Sequence, residues 1–116
     1  MEKYIMARTT FSGPVKSDNG FIGTTGLTLT NVLGASAALN FASIASAAQE
    51  DLTITVTGAA ANNAVILGLP VAPTAGIVFN AFVSAADTVT VRATNITAAA
   101  IDPASATYSV VVIQVS

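Results

Sequence analysis

The chain has 116 residues, a net charge of −2, and no histidine, cysteine or tryptophan. Histidine is the usual general base near neutral pH, and histidine and cysteine supply most transition-metal ligands. The composition therefore predicts a protein that is not an enzyme and that holds no cofactor or metal. With only four basic residues, the chain also lacks the positive stripe that nucleic acid or an anionic membrane surface would attract.

The first 25 residues differ from the rest of the chain. They hold three of the four basic residues and two turn-forming clusters, at residues 12–14 and 17–20. This pattern predicts an extended N-terminal arm over residues 1–25; a disordered tail is the alternative, and an arm that orders only against a neighbour satisfies both. Met6 is an alternative start to Met1, and the start of the chain lacks the apolar run of a signal peptide.

From residue 26 onward, apolar side chains alternate with threonine, which is typical of strands. The alternation covers residues 27–30, 52–57 and 89–94, and it places leucine, isoleucine and valine on one face and threonine on the other. Further strands are predicted over residues 39–44, 64–69, 77–83 and 107–115. A helix over residues 35–48, which are rich in alanine, is the alternative to the 39–44 strand.

The connections between these strands are short and rich in turn residues, as in antiparallel sheets. About seven to eight strands at this spacing predict an all-β fold: an antiparallel β-sandwich, jelly-roll or immunoglobulin-like, over residues 26–116. The last strand is apolar on both faces through residues 110–113. This predicts that it lies at the centre of a sheet or at a subunit contact.

Few residues in the chain suggest a chemical site. Asp102 is interpreted as a turn residue and not as a calcium ligand, because calcium needs six or more oxygens and no second acidic residue lies nearby in the sequence. Glu50 and Asp51 are expected to solubilise the entry to a strand. Residues 95–97 match a glycosylation motif that arises often by chance, and we discount it.

Arg92 is the sole charge in a strand of valine, alanine and threonine. We interpret it as a guard on an edge strand or a solvated residue, with an ion pair to Asp87 or to a neighbouring subunit as the alternative. The threonine rows are expected to form the solvated face of a sheet or a subunit contact. A carbohydrate site would need aromatic platforms, and the chain has no tryptophan and two tyrosines.

Several of these segments resemble parts of tailed-phage structural proteins. Residues 87–97, 102–105 and 108–115 are similar to a domain common in such proteins, and residues 52–60 and 76–84 fit it. Residues 11–21 resemble the start of small phage head proteins. The family implied is that of capsid decoration, or cement, proteins. The resemblance implies a virion protein on the capsid exterior, made in the host cytoplasm, which binds the major capsid protein and self-associates, with a homotrimer favoured over a dimer.

The expected function is therefore stabilisation of the phage head by binding the major capsid protein and by self-association. The alternative is a tail, fibre or baseplate component that adheres to a tail partner or a host glycan. A bacterial surface domain, a third possibility, would carry a signal peptide. Partner contacts are expected in the arm and in the last strand, at Phe11, Pro14, Lys16, Phe21, Val111, Ile113 and Val115.

Overall fold

The computed structural model describes residues 10–116, and within them the chain is all-β with no helix. The seven strands are β1 (Phe21–Ile22), β2 (Thr28–Leu39), β3 (Gln49–Thr55), β4 (Ala64–Gly68), β5 (Ile77–Ala85), β6 (Thr88–Asn95) and β7 (Ala106–Val115). They form two antiparallel sheets, in the orders β1-β2-β7-β4 and β3-β6-β5. The predicted all-β fold is confirmed, and the arrangement is consistent with a β-sandwich. No helix in the described part of the chain is long and apolar enough to cross a membrane.

Strands from the two halves of the chain pair with each other in reverse order. β2 pairs with β7, and β3 pairs with β6, so the chain folds back on itself with β4 and β5 at the inner end. In an immunoglobulin domain the second strand lies beside the fifth instead. The pairing of the strands therefore differs from that of an immunoglobulin domain.

Both sheets contribute to one core. β6 and β7 lie centrally in their sheets, and each places alternate side chains into the interior. These side chains are at most 2% exposed: Val89, Val91 and Ala93 from β6, and Tyr108, Val110 and Val112 from β7. The prediction that the last strand lies at the centre of a sheet is confirmed.

Three aromatic rings connect the two sheets. Phe79 of β5 lies 5.5 Å from Tyr108 of β7, and Phe41, in the connection after β2, lies 6.0 and 5.9 Å from these two rings. Ala37 stands opposite Tyr108 in the β2–β7 register, so a small side chain lies beside the largest ring. Burial raises the pKa of the Tyr108 hydroxyl.

The segment that follows β2 departs from the prediction. The predicted strand over residues 39–44 is wrong, since β2 ends at Leu39 and only Ile44 forms a bridge, with Ile101. The physical reason is that this segment crosses from one sheet to the other, and Phe41 is fully buried on the way. The alternative helix over residues 35–48 is wrong as well.

The other predicted strands are found. The alternation at residues 27–30 opens β2, which continues for nine residues beyond the alternation and ends at Leu39, before the chain crosses to the second sheet. The predictions over residues 52–57, 64–69, 77–83, 89–94 and 107–115 are confirmed as β3 to β7, with ends displaced by at most three residues.

Residues 10–20 lie outside the strands and are mostly exposed. β1 begins at Phe21, which pairs with Leu29 of β2, so the sheet starts inside the segment that is predicted to be the arm, residues 1–25. The two alternative starts, Met1 and Met6, lie outside the described residues.

Candidate interaction surface

The outward side of the β1-β2-β7-β4 sheet, called the outer face below, carries no charged side chain. Since Val110 and Val112 of β7 are buried, Val111 and Ile113 point to the opposite side of the sheet. The register extends this side across the neighbouring strands. Its members are Val32, Gly34, Ser36 and Ala38 from β2, Thr107, Ser109, Val111 and Ile113 from β7, and Ala64, Ile66 and Gly68 from β4.

Apolar side chains form two neighbouring rows on the outer face. In one row Ile113 lies between Val32 and Ala64, and in the next Val111 has Ile66 as its partner on β4. Val32 and Ile66 are each 57% exposed, and the two β7 side chains are half-buried. A sheet face of this kind is suited to packing against another protein surface, because exposed contiguous apolar area is costly in water.

Three of the predicted contact residues, from both ends of the chain, come together at the end of this sheet. Phe21, Ile113 and Val115 line a depression together with Leu29, Leu27 and residues 22–25. Phe21 is 53% exposed and Val115 is 52% exposed. The lining of this depression includes no charged side chain. The depression therefore offers apolar contact but no group that would orient a charged ligand.

The other predicted contact residues of the arm, Phe11, Pro14 and Lys16, do not line this depression. Lys16 forms an exposed ion pair with Asp18 at 2.8 Å, and it lines a second depression beside Phe21. Phe11 and Pro14 are exposed and line neither depression.

The opposite surface of the molecule, formed by the β3-β6-β5 sheet, is charged. Arg92 donates from Nε and Nη2 to the two carboxylate oxygens of Asp51 at 2.8 and 2.9 Å. Its guanidinium carbon also lies 5.0 Å from the centroid of the Phe82 ring, a cation–π distance. The hydrogen bonds from Arg92 hold the pKa of Asp51 below its ordinary value, and they raise the pKa of Arg92.

This geometry corrects the interpretation of Arg92. The arginine lies on β6, the central strand of its sheet, so it does not guard an edge. Its partner is Asp51 and not Asp87. Asp87 occupies the turn between β5 and β6 with a positive φ of 61°, and its carboxylate accepts a hydrogen bond from the Gly58 amide at 2.7 Å. Asp87 therefore has a turn role.

The threonine rows of β3 and β6 point outward, as predicted. One of these threonines, Thr90, is nevertheless buried. Thr53 and Thr55 of β3 are exposed, whereas Thr90 of β6 is 5% exposed. The Thr90 hydroxyl donates to the Ser84 hydroxyl oxygen at 2.6 Å. Thr90 is covered because it lies on the central strand, between Thr53 and Phe82.

Asn95, the residue that the glycosylation motif would modify, is fully buried. Its Nδ2 donates to the carbonyls of Ile44 and Ala99 at 2.9 and 2.8 Å. Its Oδ1 accepts from the amide and the hydroxyl of Thr97 at 2.8 and 2.7 Å. Every hydrogen-bonding position of the side chain is used. Asn95 therefore holds the loop after β6 in place by hydrogen bonds to Thr97, Ala99 and Ile44.

The acidic residues do not gather. Within residues 10–116 no three carboxylates form a group that would hold a metal ion. Asp102 is exposed at the start of a loop whose next residue, Pro103, is buried.

Sequence reasoning did not identify Val32 and Ile66 as surface residues of interest. For Ile66 a signal was present, because no charged residue occurs between Asp51 and Asp87. That stretch contains the whole of β4, which lies at the edge of its sheet.

Comparison of the chain with models of protein families, with curated proteins and with solved structures gave no match.

Proposed function

We propose that the chain is a structural subunit of a phage head, a capsid decoration protein that acts by surface contact and not by chemistry. The observation that carries the proposal is the outer face, on which Val32 and Ile66 are each 57% exposed and whose strands β2, β4 and β7 carry no charged side chain. An exposed apolar sheet face is typical of a surface that is buried on assembly. The resemblance of residues 11–21 to the start of small phage head proteins supports the head as the location.

In this proposal the binding energy comes from buried apolar area. Each square ångström removed from water contributes about 25 cal/mol, and the loss of motional freedom on association offsets several kcal/mol of the total. A single contact of modest area is therefore weak. Many copies on one shell bind far more tightly together, because each bound neighbour raises the effective concentration of the next contact.

In this proposal, two parts of the chain bind different partners. The outer face contacts other copies of the chain. The arm, with Phe11, Pro14 and Lys16 exposed, reaches the major capsid protein. Sites for the arm arise when the capsid expands, and the bound layer then resists the pressure of the packaged DNA.

Immunogold labelling of virions with an antibody against the chain tests this proposal. We expect gold particles on the head. Gold on the tail would contradict the proposal and support the alternative, a tail, fibre or baseplate component. Virions without any gold would contradict a virion role altogether.

A further inference from the structure

We propose that Asn19 is a site of spontaneous deamidation, which converts this residue in the folded protein to a mixture of isoaspartate and aspartate. The inference goes beyond the proposed function and does not depend on it. Asn19 is the one asparagine of the chain that is followed by glycine, Gly20. Both residues lie outside the strands, directly before β1, and Asn19 is exposed. Asparagine is among the thermolabile residue types.

The reaction needs only the amide nitrogen of the next residue and water. The Gly20 nitrogen attacks the Cγ carbon of Asn19, and the new C–N bond closes a five-membered succinimide ring. The side-chain NH2 group leaves with the Gly20 amide proton as ammonia. Water then adds its hydroxyl to one of the two ring carbonyl carbons and its proton to the ring nitrogen. Opening at one carbonyl gives aspartate, and opening at the other gives isoaspartate, in which the main chain runs through the former side chain.

The Gly20 nitrogen is available for this attack. Within residues 10–116 the Gly20 amide donates no hydrogen bond, and Gly20 belongs to no strand. Its φ of 86° lies in the left-handed region, which glycine adopts without strain. Since glycine has no side chain, nothing on this residue crowds the attacking nitrogen.

The fold also requires glycine at position 20. A Cβ atom on this residue would clash with the carbonyl oxygen of Leu29 on β2. The start of the four-stranded sheet therefore fixes the glycine, and only a different residue at position 19 would remove the reactive pair.

Asn62 provides a comparison within the same chain. It is also exposed in a turn, and its φ of 69° is positive. The attacking group there would be the amide nitrogen of Asn63, but this amide donates to the Ala60 carbonyl at 3.2 Å. The Asn63 side chain in turn accepts hydrogen bonds from the Ala60 amide and from Gln114 Nε2. Because these bonds must break before the ring can close, Asn62 should react more slowly than Asn19.

Deamidation of Asn19 would change the junction between the arm and the sheet. The Ser17 hydroxyl donates to the Gly20 carbonyl at 2.6 Å and closes the turn over residues 17–20. Isoaspartate adds one carbon to the main chain inside this turn, so the turn must change shape. Either product also adds a carboxylate beside Asp18, which pairs with Lys16, and makes the net charge of −2 more negative by one.

Peptide mapping of the full chain, incubated in its folded state near neutral pH, tests the proposal. Chymotrypsin cleaves after large aromatic residues, so cleavage after Phe11 and Phe21 releases residues 12–21 as one peptide. This peptide should gain the mass difference between an OH and an NH2 group, at least about tenfold faster than the peptide that contains Asn62. An isoaspartate-specific methyltransferase should methylate the product. The rate should rise with pH, because the attacking nitrogen loses its proton.

Asn19→Gln is the matched control. The glutamine carbonyl lies one carbon further from the main chain, so ring closure would need six atoms, and the 12–21 peptide should keep its mass over the same time. The Asn19 side chain forms no hydrogen bond within residues 10–116, so the variant should fold as the wild type does. A wild-type peptide that keeps its mass, or that gains mass only after the chain is unfolded in urea, would overturn the proposal. Equal rates at Asn19 and Asn62 would overturn it as well.

Discussion

Asp51 and Arg92 tie the edge strand of the three-stranded sheet to its centre. The two side chains are 39% and 33% exposed, so water screens the pair in part. The aromatic ring of Phe82, on the third strand, lies beneath the guanidinium group. The cluster therefore spans all three strands of the sheet and holds the arginine in one orientation.

The ion pair makes stability depend on pH in a direction that can be predicted. The folded-state pKa of Asp51 lies below its ordinary value of 3.8, so the unfolded chain binds a proton more readily than the folded chain does. The stabilisation is present above pH 3.8, and it is lost as the pH falls through the lower folded-state value. We expect Asp51→Asn to lower the free energy of unfolding near neutral pH and to lose less stability on acidification.

Urea denaturation of both proteins between about pH 6 and about pH 2 measures this difference. Asp102→Asn is the control, because Asp102 is exposed and pairs with no cation within residues 10–116. A wild-type chain and an Asp51→Asn chain whose stabilities fall in parallel would contradict the role of the pair.

Asn95 provides a second prediction at this scale. Asn95→Asp keeps the shape of the side chain but removes the two N–H donors and places a carboxylate against the carbonyls of Ile44 and Ala99. Each buried carbonyl left without a donor costs about 1–3 kcal/mol, so we expect a loss of about 2 kcal/mol or more. Thermal unfolding measures it. The same change at the exposed Asn40 should cost less than about 0.5 kcal/mol. Equal losses of stability at the two positions would contradict the proposed role of Asn95 in holding the loop after β6.

The roles of Arg92 and Asn95 were not predictable from the sequence because both depend on distant partners. Arg92 is an edge or a central residue only once the order of strands is known, and its partner lies 41 positions away. In the sequence, Asn95 is recognisable only as part of a glycosylation motif. Its burial depends on the loop after β6, which folds back against Ile44. Turn residues such as Asp87 were easier to interpret, since their preference for turns is local.

At the scale of the elements, the rings of Phe41, Phe79 and Tyr108 pack against one another between the two sheets. Phe41→Ala removes a fully buried ring, for which we expect a loss of about 3–5 kcal/mol. Phe11→Ala, at a position 64% exposed in the arm, should change stability by less than about 0.5 kcal/mol. Chemical denaturation of the two variants gives the comparison, and a Phe11→Ala effect as large as that of Phe41→Ala would contradict the described core.

The strands themselves were largely predictable, because alternation of apolar and polar side chains is a local signal. β3 and β6 follow it closely. β2 was predicted only at its start, because its second half is alanine, glycine and serine, which have weak strand preferences. Those small residues are in a strand because they pair with β7, where Ala37 faces Tyr108. Tertiary packing, and not local preference, sets the length of β2.

At the scale of the whole molecule, the arm and the two sheets are expected to be separable. Residues 10–20 lie outside the core, so removal of residues 1–20 should leave the melting temperature within about 4 °C of the wild type, since a change of 1 kcal/mol shifts it by about that much. Differential scanning calorimetry measures the shift. A loss of cooperative unfolding in the shortened chain would contradict this division.

The candidate surface was predictable in part. The two-faced apolar pattern of the last strand indicated Val111, Ile113 and Val115, and these residues lie on or beside the outer face. Val32 and Ile66, which are more exposed, were not identified. Their place beside β7 depends on pairings of β2 and β4 with a strand that follows them by 40 residues or more, and no local pattern encodes such a pairing.

Co-sedimentation of the purified chain with phage heads, before and after expansion, tests the central proposal most directly. We expect the wild-type chain to sediment with expanded heads and to stay in solution with unexpanded heads. The chain without residues 1–20 should stay in solution with both. A wild-type chain that sediments with neither kind of head would contradict the claim that this protein acts by binding the capsid.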